Sequence, residues 1–341
     1  MRRSIATSLK LLFGLLLLGL LINAIGFGEF IAAMRTVALP IFFLSFLVEP
    51  LVQLFGGLIY KVLLIPMNHH ITVLYAVRSA SVAYAMGFLS PGRVSELSII
   101  IPLREKGVPY GPGLAIAILD KIAAFIFLGV MGSLGILYFV GVSEFVIVAT
   151  AALTITMIAY WFFGSYKIED LMKTKVLKSK SDHIEGFAQT IRDYFGKHRM
   201  YLAAAVVLKA LKWTMSYVAI YIIFLSMGYD LNIFAISLIF SAVVLISTVP
   251  ITFSGIGVKE GAGALMYSAF LGVPPAIASN AMLLSTAKNF SLGIVYYLLS
   301  SSLIIKSRYA HLQEKKNHVS GKMRFKRLKE LKDRLPRKRR T

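Results

Sequence analysis

Eighteen residues from Leu11 to Gly28 pass without a charge, and apolar stretches of similar length recur as far as residue 305 of this 341-residue chain. A helix needs about 20 such residues to cross the hydrocarbon of a bilayer. Further stretches cover Val37–Tyr60 (interrupted at Glu49-Pro50), Ile122–Ser143, Phe145–Tyr166, Trp213–Tyr229, Leu231–Val258, Gly261–Ala287 and Asn289–Ile305. Only 16% of residues are charged, against about 25% in soluble domains, and 57% are hydrophobic. The expected class is an all-α polytopic membrane protein. A soluble enzyme and a disordered chain are excluded, and the absence of cysteine excludes a disulfide scaffold and thiolate chemistry. Met1-Arg2-Arg3 ahead of the first run resembles a signal peptide, but no small-residue cleavage site follows it, so a first transmembrane helix is expected.

The net charge of +21 is concentrated at a few places. Residues 306–341 hold fifteen Lys/Arg against three acids, and residues 167–199 hold eight against five. Basic segments stay on the cytoplasmic side, so both termini and the 167–199 segment are expected there. The organisation that follows is one transmembrane domain, 1–305. It comprises N-terminal helices (1–62), a first repeat (63–165), a basic amphipathic cytoplasmic segment (166–199) and a second repeat (200–305). The basic tail, 306–341, is expected to meet anionic lipid head groups at ~1 kcal/mol per base near the surface, with no nucleic-acid partner.

Two apolar regions are broken in the middle. Residues 72–103 contain Ser90-Pro91-Gly92-Arg93, and residues 232–271 contain Val249-Pro250 through Gly255-Ile256-Gly257. Proline removes a backbone donor and glycine removes the steric bar to turning. In lipid, the freed backbone groups must be satisfied by protein or by a wet cavity. The breaks match: Glu96, Gly107-Val108-Pro109 and Lys121 follow the first, while Glu260, Gly272-Val273-Pro274 and Lys288 follow the second. Paired, Gly/Pro-interrupted segments at corresponding positions point to an inverted-repeat transporter. About six transmembrane helices plus two re-entrant or broken-helix hairpins, entering from opposite faces, are therefore expected. Full crossings in place of the hairpins would give the same charge distribution.

Arg93, Glu96, Asp120, Lys121, Lys259, Glu260 and Lys288 lie within these apolar regions, where each costs ~2.5–3.5 kcal/mol at a helix centre on insertion scales. Such groups face a bundle interior or a hydrated cavity. Arg93 and Glu96, three residues apart, are able to neutralise each other on one helix face. Asp120 and Lys121 point about 100° apart and require different partners. Exposed N–H groups at half-helices starting near Arg93 and Val258 would favour an anion such as phosphate. Gly257 and Gly261 form a G-x-x-x-G spacing suited to close packing inside the fold. No metal-ligand cluster, nucleophile–base pair or dinucleotide fingerprint is present, so neither a cofactor nor an enzymatic reaction is expected.

Pro91-Gly92-Arg93-Val94-Ser95-Glu96, Asp120-Lys121, Pro250, Gly255-Ile256-Gly257-Val258-Lys259-Glu260 and Lys288 form an ordered series. It resembles the transmembrane, flippase-type domain of the lysylphosphatidylglycerol synthetase family, which also occurs as a stand-alone protein in bacteria and archaea. Ser95, Lys121 and Ser254 depart from that pattern, where glycine, arginine and glycine are usual. The resemblance implies a lipid transporter of a prokaryotic cell membrane, without the family's soluble aminoacyl-transfer domain. The substrate would be a lipid with an anionic head group, a phospholipid or a polyprenyl phosphate, bound by Pro91, Gly92, Arg93, Glu96, Asp120, Lys121, Gly255, Gly257, Lys259, Glu260 and Lys288. An accessory subunit of envelope-lipid or lipid-linked glycan assembly is the second reading, and a membrane-embedded transferase the third.

Overall fold

A computed structural model describes residues 2–87, 91–147, 186–249 and 254–300, with 150, 154 and 252 besides. The side chains of residues 2–11 and 91–94 lie outside this description, as do most of the Phe145–Tyr166 stretch, most of the 167–199 segment and the basic tail.

Every regular element among the described residues is helical. In chain order they are α1 (Arg2–Ile25), α2 (Phe27–Arg35), α3 (Leu39–Leu47), α4 (Glu49–Leu64), α5 (Val73–Gly87), α6 (Ile100–Glu105), α7 (Tyr110–Phe139), α8 (Phe187–Gly196), α9 (Arg199–Ser226), α10 (Ile233–Thr248), α11 (Val258–Leu271) and α12 (275–300). A 3-10 segment, Pro91–Ile99, precedes α6. Among the described residues, three stretches are long and apolar enough to cross a membrane, namely Leu39–Met67, Tyr110–Phe139 and Arg199–Ser226. The first joins α3 and α4 across Pro50, whose missing N–H interrupts the helical ladder beside Glu49. At Gly26, with φ 97°, the chain turns by 91° between α1 and α2. The crossings that begin at Tyr110 and Arg199 start well before the uncharged windows Ile122–Ser143 and Trp213–Tyr229, so Asp120, Lys121, Lys209 and Lys212 lie inside them.

Both interrupted regions fold back on themselves. Near the start of α5, the Tyr75 hydroxyl donates to the Pro102 carbonyl (2.7 Å) and the Glu105 carboxylate (3.0 Å), while Lys106 sits 4.7 Å above its ring. Residues 73–105 therefore begin and end at one level. In the second region, Tyr267 near the end of α11 donates to the carbonyl of Ile236 near the start of α10, at 3.4 Å. Arms of 15, 16 and 14 residues in α5, α10 and α11 are only about 21–24 Å long, short of a ~30 Å hydrocarbon core. The stretch Gly261–Ala287 is accordingly not one rod: it breaks at Gly272, which separates α11 from α12.

The repeated Gly-Val-Pro has a structural meaning in both copies. Gly107 (φ 82°) and Gly272 (φ 65°) take the left-handed conformation that ends a helix, which glycine adopts without a Cβ penalty. The next residue, Val108 or Val273, is 2% exposed and anchors the turn in the core. Pro109 caps the start of α7, and Pro274 stands immediately before α12.

Two apolar clusters hold the bundle. One gathers the C-terminal half of α4 with α5, α6, α8 and the first parts of α7 and α9. The other gathers α3, the later part of α9, α10, α11 and the start of α12. Tyr194 of α8 ties the first cluster by donating its hydroxyl to the Leu63 carbonyl. Where α4 crosses α5, backbone meets backbone: a Cβ on Gly57 would lie 2.6 Å from the Val77 nitrogen. Gly57→Ala should therefore lower the Tm of the detergent-solubilised protein, with an overpacking cost of ~1–3 kcal/mol. Gly261→Ala, with no atom within 4 Å of the new methyl, should leave the Tm unchanged or raise it.

Candidate functional site

Between the two apolar clusters the helices present polar side chains instead. On α7 these are Asp120 and Lys121, on α9 Lys209, Lys212, Trp213 and Ser216, and on α12 Ser285, Thr286, Lys288 and Asn289. Each set occupies the middle of its helix, so the groups meet at half depth around a cavity of about 160 Å³. A single water requires only ~10–15 Å³ measured in this way. Glu49, Tyr84, Glu96, Ser247, Thr248, Ser254 and Lys259 complete the polar lining.

The ionic groups differ in how far they open to this space. Asp120 accepts from the Lys209 ammonium and from the Tyr60 hydroxyl (3.3 Å), joining α7, α9 and α4. Glu49 accepts from Lys288 at 3.4 Å and from the Gln53 amide at 3.1 Å, joining α4 to α12. The side chains of these two pairs are only 3–6% exposed. Lys121, whose ammonium donates to Glu96, is 34% exposed and stands at the cavity surface. Lys259 donates to Ser285 (3.0 Å) and Thr286 (3.4 Å) and lies 5.7 Å above the Phe240 ring. Among the described lining residues, five lysines face three carboxylates. The Trp213 Nε1–H is buried with no hydrogen-bond partner among the described residues, leaving a donor beside the cavity for an acceptor to fill.

Several expectations from the sequence change in detail. Glu96 accepts from Lys121. Lys288 pairs with Glu49 across the bundle, whereas Glu260 accepts from the Thr286 hydroxyl at 2.9 Å. Glu260 also accepts from the Gly257 N–H at 2.7 Å, so the start of α11 is already capped. The Pro91–Ile99 segment is 3-10 rather than a half-helix of α type. An open pair of helix N-termini offered to phosphate is therefore not what forms here. The side chains of Pro91, Gly92 and Arg93 lie outside the described residues.

The glycines have separate roles. Gly255 (φ 79°) and Gly257 (φ 82°) hold left-handed turns after α10, and a Cβ on Gly257 would lie 2.5 Å from the Gly14 carbonyl of α1. Gly261 has no neighbour within 4 Å, so only the first glycine of that spacing makes a close approach. Ser254, the position where glycine is usual in the resembled pattern, is also left-handed, at φ 54°.

Glu49, Lys209 and Lys212 are the charged cavity residues missing from the sequence-based set. Their signal was nevertheless present: each is a charge inside a segment long enough to cross a membrane.

A model of the lysylphosphatidylglycerol synthase TM region matches residues 7–295. Among similar proteins is a UPF0104 membrane protein of Methanocaldococcus jannaschii, 26% identical over 153 residues, which are 45% of this chain and 44% of that one. Another is a UPF0104 membrane protein of Methanothermobacter thermautotrophicus, 22% identical over 186 residues, which are 49% of this chain and 54% of that one. The chain thus spans about half the length of these relatives.

The exposure contrast separates the ion pairs by consequence. Asp120→Asn strands the Lys209 ammonium in a dry site and should cost ~3–5 kcal/mol, read as a large drop in Tm in detergent. Asp120→Asn combined with Lys209→Met should recover most of that loss. Lys121→Gln, at the wet surface, should cost no more than ~1 kcal/mol.

Proposed function

The chain belongs to the lysylphosphatidylglycerol synthase transmembrane family and is an integral membrane protein, and from that premise we propose that it carries a lipid with an anionic head group across the bilayer. The head group passes through the half-depth cavity while the hydrocarbon tails stay in the membrane. The observation that carries this reading is the buried Trp213 N–H, with no acceptor among the described residues, beside a lysine-lined space large enough for water. An anion placed there lies among the cavity lysines and accepts the Trp213 N–H hydrogen bond.

The two folded-back regions fit this role as re-entrant hairpins. Their arms are too short to cross, and their tips carry residues that bind the next helix. Glu96 takes Lys121 in the first repeat, and Lys259 and Glu260 take Ser285 and Thr286 in the second. Opposed entry would leave only a thin barrier between the cavity and either side, the geometry of alternating access in inverted-repeat transporters. Both termini are placed in the cytoplasm on this reading. The activity is transport, not a chemical transformation.

Purified protein in liposomes should accelerate movement of labelled phosphatidylglycerol or of a polyprenyl phosphate between leaflets. The Lys212→Met/Lys259→Met variant should slow it by about tenfold or more, the equivalent of ~1.4 kcal/mol. Rates in native-protein liposomes equal to those in protein-free liposomes, for both lipid classes, would overturn the proposal.

A further inference from the structure

Beside the cavity, α5 and α12 meet side by side. Residues 285, 289, 292, 296 and 299 recur every three or four positions and therefore share one face of α12. At its inner end this face gives Ser285 and Asn289 to the cavity. Further along, the Tyr296 ring meets the ring of Tyr84 edge-on, with centroids 6.3 Å apart, and Tyr84 also lines the cavity. At the outer end, an Nη of Arg78 donates to the Leu299 carbonyl at 3.2 Å. Two contacts thus join α5 to α12, one at Arg78 and one at the tyrosine pair beside the cavity.

Arg78 stands where a lipid phosphate would first arrive. It lies five residues into α5, about 7.5 Å from the helix start, on the side marked by Tyr75 and Lys106. Around it, Leu298 and Leu299 are 66% and 68% exposed and present an apolar surface suited to acyl chains. A peptide carbonyl is a neutral acceptor for a guanidinium. A phosphodiester oxygen makes a charge-assisted and roughly twice as strong bond, often bidentate to arginine. A phosphate is therefore a stronger acceptor for Arg78 than the Leu299 carbonyl that joins α5 to α12.

We propose that the α5–α12 seam is the lateral doorway of the transport cavity, with Arg78 as the capture site for a lipid phosphate and the Tyr84–Tyr296 pair as its inner leaf. This rests on the lipid-transport reading above. It assigns to Arg78 a specificity role that neither the motif series nor the cavity lining includes.

The absence of native cysteine makes a direct test available. Tyr84→Cys/Tyr296→Cys, bridged by a short reducible bifunctional thiol reagent, should lose lipid movement by about tenfold or more and regain it on reduction. A bridge between Tyr138→Cys and Phe234→Cys, whose rings are 6.0 Å apart at the junction of α7 and α10, should leave the rate unchanged. Arg78→Ala should raise the mole fraction of labelled phosphatidylglycerol needed for half-maximal rate more than it lowers the maximum, and Arg78→Lys should restore part of the loss. In parallel, a photoactivatable phosphatidylglycerol should label the seam in the native protein and not in Arg78→Ala, with excess inorganic phosphate failing to compete. A native rate in the bridged Tyr84/Tyr296 protein, unchanged lipid dependence in Arg78→Ala, or competition by inorganic phosphate would overturn the doorway while leaving the transport reading standing. A native protein that moves no lipid in liposomes would overturn the transport reading, and the doorway with it.

Discussion

Charge at half depth is the constraint around which the bundle is arranged. A lone ammonium or carboxylate in hydrocarbon is expensive, so each must be compensated where it stands. Asp120 draws Lys209 and Tyr60 together from three helices, and Glu49 draws Lys288 and Gln53 from two. These links are dry. They act as rivets between α4, α7, α9 and α12, and the two apolar clusters lie above and below them. Net stabilisation is not their evident contribution, since a buried ion pair often does no better than an apolar replacement of similar volume. Their effect is to fix which helices meet and at what register. With that frame set, Lys121, Lys212 and Lys259 occupy the remaining space at the cavity wall.

The two hairpins are related by their turns more than by their tips. Gly107-Val108-Pro109 and Gly272-Val273-Pro274 perform the same task with the same residues: a left-handed end, a buried anchor and a proline entry to the following helix. At the tips the copies diverge. The first binds its long helix by an ammonium–carboxylate contact, Lys121 to Glu96, and the second by hydroxyls on Ser285 and Thr286. The second tip is also held by α1, whose Gly14 carbonyl would lie 2.5 Å from a Cβ on Gly257.

Much of this was legible in the sequence, for a definite reason. Breaks, turns and charges are local signals, and Pro91-Gly92, Gly107-Val108-Pro109 and Asp120-Lys121 announce themselves within a few residues. The all-helical fold and its interruptions followed from them. Partner choice was not legible, because it depends on how helices cross. Lys288 stands at the position matching Lys121, yet it pairs with Glu49, 239 residues away in the chain. Lys209 and Lys212 were masked by their closeness to the basic 167–199 segment, from which hydropathy alone separates them poorly. Arg78 was hidden in the same way, as a single charge in a region whose more conspicuous feature was the break at Pro91.

The choice of cation along the proposed path is itself informative. Among the described residues, every base that lines the cavity is lysine, while the base at the outer seam is arginine. A guanidinium holds a phosphate through a planar fork of donors, which favours capture from a crowded leaflet. An ammonium is a point charge on a flexible stem and exchanges partners without breaking a bidentate geometry. Lys121 already shares itself between Glu96 and, at 4.0 Å, Asp120. A phosphate entering the cavity joins that exchange as one more acceptor, so it is attracted without being trapped. A site of fixed arginine forks at the same depth would bind the head group more tightly and release it more slowly, and transport requires that binding favour entry without preventing departure.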